Sequence, residues 1–115
     1  MNLREIQDLS KKFNQDRDWI SFPPSQVFTH LIEEIGELGR YILYSEGYKN
    51  KNLGHKPIQE FSLAREFAQI SLLILQLANH YDIDLESSIL NELEIMVKRF
   101  DAKKWKKYIR SLKVE

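Results

Sequence analysis

Apolar positions recur along this chain at spacings of three and four rather than two, the period of helices that turn one face inward. Leu3, Ile6, Leu9 and Phe13 trace the first stripe. Asn2 is placed to cap that helix, and Glu5, three residues on, can close a capping box. The segment from Asp18 to Pro24 should end it, because Pro23 and Pro24 remove two donors and force the preceding residue extended. Ser25 is then expected to cap a second helix with Phe28, Leu31, Ile35, Leu38 and Ile42 on one stripe, running out at Ser45 to Gly47. Residues 47–57 are polar, with Gly47, Gly54, Asn50, Asn52, three lysines and His55, and read as a long loop. A third helix is expected from about Gln59 to His80. Between Phe67 and Ala78 it is apolar nearly all round, which predicts the central, most buried helix. Tyr81 to Asp84 reads as a tight connection, and Asp84 as the cap of a fourth helix running from Leu85 to about Leu112. Four long helices without a strand signal predict an all-α, four-helix bundle.

Composition narrows the class. The 115 residues suit one domain over 1–115, and 43% hydrophobic with 30% charged residues exclude a disordered or fibrous chain. A domain of this size buries roughly two-thirds of its unfolded surface, a thin core that helical proteins often complete by assembling into dimers or tetramers. With no cysteine there is neither a disulfide framework nor a thiolate metal site. The amino-terminal residues are amphipathic, without the apolar core of a signal peptide. The longest apolar run, Ile70 to Ala78, is interrupted by Ser71 and Gln76 and falls far short of the ~18 residues a membrane span needs. The expectation is a soluble cytoplasmic protein with no membrane partner.

Seventeen basic residues balance seventeen acidic ones, but unevenly. Carboxylates gather at Glu33, Glu34 and Glu37, while cations crowd the end of the chain from Lys98 and Arg99 to Lys113. At 100° per residue, His30, Glu34, Glu37 and Tyr41 share one strip beside the apolar stripe of helix two, and Glu33 points further toward solvent. Adjacent carboxylates at this spacing repel by a few tenths of a kcal/mol unless a cation offsets them. Glu66 and Gln69 repeat the spacing at the entry to the most apolar helix, where an ionised Glu is costly without a partner. Three arrangements satisfy these residues: a solvated acidic face near Arg40, an ion pair of Glu66 with Arg65 or Lys98, or a hard-cation site between two antiparallel helices. Mg²⁺ suits the last, since it takes oxygen ligands and is commonly shared with substrate phosphates.

Glu34-Ile-Gly-Glu37 followed by Glu66-Phe-Ala-Gln69 resembles the E-x-x-E…E-x-x-D signature of the MazG-like, all-α nucleoside triphosphate pyrophosphohydrolases. His30 to Leu38, Ala78 to Glu86 and Lys98-Arg99-Phe100 are similar to the segments around it, so the likeness covers residues 19–100. It implies hydrolysis of a nucleoside triphosphate to a monophosphate and pyrophosphate, dependent on Mg²⁺ or Mn²⁺. Glu34, Glu37 and Glu66 would be the catalytic metal ligands and Gln69 a neutral one. Trp19 and Phe22 would line a base pocket, unless they simply close the end of the bundle, and Lys98 and Arg99 would contact substrate. Three positions depart from the pattern: Gln69 stands for the Asp, and Glu92 and Met96 for a Lys and an Asn that meet substrate. These departures leave open a degenerate, nucleotide-binding or regulatory oligomer.

A further class comes from the end of the chain, where Trp105, Tyr108, Ile109 and Leu112 share one face among lysines. Such a helix can meet nucleic-acid phosphates, an anionic membrane surface or a partner protein. Cations near a helix carboxyl end also favour its dipole, and the apolar face can pack on the bundle, which weighs against a nucleic-acid partner. His30, His55 and His80 lack ligand spacing and are read as non-catalytic.

Overall fold

The computed structural model describes residues 1–58 and 62–113. Every regular element among them is helical: α1 (Leu3–Asp16), α2 (Pro24–Ser45), α3 (Leu63–His80), α4 (Leu85–Arg99) and α5 (Ala102–Leu112), with short 3₁₀ turns at Trp19–Ser21 and Lys51–Leu53. The capping box of α1 forms as the sequence implies, the Asn2 side chain accepting from the Glu5 backbone N–H at 2.9 Å. Asp84 caps α4 by accepting from Glu86 N–H at 3.2 Å.

Three boundaries differ from expectation. Pro23, not Ser25, is the cap of α2, because Pro24 already has the helical φ of a first-turn residue and needs no donor there. Helix α3 begins at Leu63 behind a Ser62 cap in extended backbone, and the expected start at Gln59 lies outside the described residues. The fourth helix is two. Phe100 is extended (φ −110°, ψ 93°), and Asp101 starts α5 by accepting from Lys104 N–H at 2.9 Å.

Helix α3 lies at the centre, packing on α2 along one side and on α1 along another, while α4 packs mainly on α1. Its buried residues are Glu66, Ile70, Leu75 and Ala78, whereas Phe67, Leu72 and Ile74 remain exposed. It is therefore central but not enclosed. The buried face of α1 is polar: Gln7, Ser10 and Asn14 point inward, and Ile6, Leu9 and Phe13, expected in the core, face outward. That inversion is tolerable because the amides are satisfied. Gln7 Nε2 donates to Asn79 Oδ1 at 2.9 Å and to the Ile83 carbonyl at 2.7 Å, and its Oε1 accepts from Leu85 N–H at 3.0 Å. Glu86 reaches back to the amino terminus of α1, accepting from Leu3 N–H at 3.1 Å. Helix α1 is thus tied to the α3–α4 turn by polar contacts, where buried groups hold their partners firmly.

The protomer is extended. Its radius of gyration is 19.0 Å, against about 13 Å for a compact chain of this length.

Candidate metal centre and adjoining aromatic cavity

Antiparallel packing of α2 and α3 brings Glu34, Glu37 and Glu66 together, with one carboxylate oxygen from each lying within 4.8 Å of the others. The i, i+3 spacing on α2 aims Glu34 and Glu37 the same way, and the first turn of α3 presents Glu66 to them. Their environments differ: Glu37 is exposed, Glu34 half-buried, and Glu66 only 4% exposed. Among the described residues the Oε1 atom of Glu66 is buried without a hydrogen-bond partner. The Glu34 side chain stands within hydrogen-bonding reach of the Glu66 carboxyl, a contact between two carboxyl groups that forms only when a proton is shared between them. Burial, then the Glu34 carboxylate, then the charge of Glu37 push the Glu66 carboxyl up to about 7. Among the described residues no cation pairs with Glu66; neither Arg65 nor Lys98 does so. Arg40 donates instead to the Lys56 and Pro57 carbonyls.

This arrangement needs either a shared proton or a cation. Octahedral Mg²⁺, with oxygens at ~2.1 Å, places ligand oxygens between about 3.0 and 4.2 Å apart. Three carboxylates spread over 4.8 Å reach that geometry by small side-chain rotations, and the donor set is the hard oxygen type that Mg²⁺ and Mn²⁺ take. The residues fit such an ion.

The other residues singled out from sequence are dispersed. Gln69 follows one turn after Glu66 and is exposed, making no hydrogen bond to it. Glu33 is exposed, as its angle predicts. Lys98 and Arg99 occupy the exposed last turn of α4. Trp19 and Phe22 line a cavity of about 350 Å³ with Gln26, Val27, His30, Leu73 and Gln76. His30, read from sequence as non-catalytic, joins the two features: it lines that cavity, and its Nε2 lies 3.3 Å from Glu34 Oε1. The i, i+4 spacing of His30 and Glu34 signals this contact in the sequence; nothing there marks Gln26 or Gln76 as cavity residues.

No helix among the described residues is long and apolar enough to cross a membrane. Comparison with family models, with curated proteins and with solved structures finds no match.

Proposed function

We propose that this chain is a MazG-like nucleoside triphosphate pyrophosphohydrolase that works with Mg²⁺ or Mn²⁺. One observation carries the reading: Glu66, almost fully buried, lies against the Glu34 and Glu37 carboxylates, and among the described residues its Oε1 has no hydrogen-bond partner. Burying a carboxylate against two others is expensive unless a cation compensates it. Glu34, Glu37 and Glu66 would hold the ion. When bound, such an ion supplies Lewis-acid polarisation of phosphoryl oxygens and a water acidic enough to attack near neutral pH. The residues of the chain do the rest. The carboxylates fix where the triphosphate sits, and Trp19 and Phe22 offer ring faces to its base. Lys98 and Arg99 are the cations this reading assigns to phosphate.

Pyrophosphate release from a panel of nucleoside triphosphates, with Mg²⁺ or Mn²⁺ and with EDTA, tests it. Glu37→Gln is expected to lower metal-dependent turnover at least 100-fold, as befits loss of a charged ligand, whereas Glu33→Gln should retain it. Full activity in Glu37→Gln, or the same turnover in EDTA, contradicts the assignment.

The alternative is a degenerate member that binds nucleotide without turnover. The exposed Gln69, together with Glu92 and Met96 on the outer surface of α4, favours it. Nucleotide binding with no pyrophosphate release identifies that case.

The reading includes self-association into a homodimer or homotetramer. The protomer exposes 9625 Å², about 3,000 Å² more than the ~6,600 Å² typical of a compact monomer of its mass. Ile6, Leu9 and Phe13 on α1, Leu90 and Leu93 on α4, and Trp105 on α5 contribute to that excess. Two such protomers together carry an excess of about 6,000 Å², at the upper end of what obligate homodimers bury. Light scattering at micromolar concentration is expected to give at least twice the 13.7 kDa chain mass; a clean monomer refutes this part.

A further inference from the structure

The aromatic cavity beside the carboxylates is lined with amides rather than charges. Apart from Trp19, Phe22, Val27 and Leu73, its walls are the side chains of Gln26, His30 and Gln76. Gln76 is half-buried on α3 and makes no hydrogen bond with any described residue, as is true of the exposed Gln26. Trp19, Phe22, Val27 and Gln76 also line a second cavity of about 250 Å³ on the side toward α1, so Gln76 stands in the wall between two hollows. The amide that α3 does use, Asn79, is occupied by Gln7, which leaves Gln76 as the unspent polar group facing the rings.

We propose that Gln76, seconded by Gln26, is the specificity-determining residue of this pocket: its carboxamide reads the edge of a neutral nucleobase held against Trp19 and Phe22. This deepens the pyrophosphohydrolase reading and rests on it. A carboxamide offers a donor and an acceptor side by side, and matches a base edge with an adjacent acceptor and donor. Rings give sequence-tolerant stacking, since every base has a π-face, so discrimination must come from an edge contact. Continuity with the carboxylates follows from His30, which lines the pocket and touches Glu34. A base in the pocket thus projects its phosphates along α2 toward Glu34 and Glu37. Among the described residues no carboxylate or ammonium lines this pocket, which suits an uncharged ring.

The test measures Trp fluorescence during titration with adenosine, guanosine, cytidine and uridine, without metal. It is paired with kcat/KM for the matching triphosphates with Mn²⁺. Wild type is expected to favour one nucleoside, and Gln76→Leu to weaken that one about ten-fold and flatten the preference. Mn²⁺ affinity should stay unchanged, because Gln76 lies outside the carboxylate cluster. Gln76→Glu, an acceptor only, should shift preference toward bases carrying an amino group. Unaltered nucleoside preference in both variants overturns the inference while leaving the hydrolase reading standing. Absence of both nucleoside and Mn²⁺ binding in wild type overturns the two together.

Discussion

Mn²⁺ affinity is expected to rise about ten-fold between pH 6 and pH 8 and to level off above it, as measured by calorimetric titration. The cause is Glu66. Its carboxyl is raised to about 7, first by burial and then by Glu34 and Glu37, so near neutral pH an incoming cation must displace a proton from it. Each pH unit below 7 then costs close to ten-fold in apparent affinity. The groups facing Glu66 from α2 are Glu34 and Glu37, with His30 Nε2 3.3 Å from Glu34 Oε1. Without metal the same group makes the fold sensitive to pH in the opposite sense. A carboxyl whose folded-state pKa lies above its unfolded value of 4.5 favours the folded state while protonated. That stability is whole below pH 4.5 and is lost as pH rises toward 7. The melting temperature without metal should therefore fall between pH 5 and pH 8, and saturating Mn²⁺ should reverse the fall. Glu66→Gln keeps the shape and removes the titration. Its melting temperature should be flat over this range and its Mn²⁺ affinity at least 100-fold lower. A pH-independent Mn²⁺ affinity in wild type would mean that Glu66 is not a ligand.

Much of this site is legible in the sequence, because helical geometry is rigid. Spacing alone puts Glu34 and Glu37 on one strip, Glu33 off it, and His30 one turn away. The all-helical class, the Asn2 and Asp84 caps and the loop after Gly47 follow from local chemistry of the same kind. Features that depend on which elements meet are less readable. Nothing in the order of residues says that Glu66 is buried while Gln69 is exposed, since both belong to one i, i+3 pair. The direction of α1 was also hidden. Its apolar stripe predicts burial of Ile6, Leu9 and Phe13, yet within the protomer α3 takes the opposite face through Gln7, Ser10 and Asn14. The Gln7 amide pairs across α1 and α3 while Ile6, Leu9 and Phe13 stay exposed, an arrangement that fits the self-association proposed above. The break at Phe100 had a signal in Asp101, a good cap three residues before the Lys104 N–H it serves, but the continuous helical period on both sides masks it.

Gln69→Asp is expected to tighten Mn²⁺ about thirty-fold and to raise pyrophosphate release. The position lies one turn beyond Glu66 on α3, where an i, i+3 neighbour faces the same side of the helix. A glutamine there offers a divalent ion only a neutral carbonyl oxygen. A carboxylate ~4 Å from such an ion attracts it by about 2 kcal/mol in bulk water. Because residue 69 is exposed, the water figure is the appropriate one, and it corresponds to about thirty-fold in affinity. Exposure also sets the effect on the fold. In a dry cluster where Gln69 hydrogen-bonded Glu66, a new charge would go unpaired and lower the melting temperature. The geometry is otherwise: among the described residues Glu66 Oε1 has no hydrogen-bond partner, and the carboxyl group packs against Glu34. Added charge at 69 should raise the pKa of Glu66 further through repulsion, so the gain in Mn²⁺ affinity should be largest at pH 8 and shrink toward pH 6. Calorimetric titration at both values, beside melting curves with and without Mn²⁺, reads all of this. Unchanged Mn²⁺ affinity with a melting temperature several degrees lower would show that α2 and α3 hold their carboxylates for structure alone.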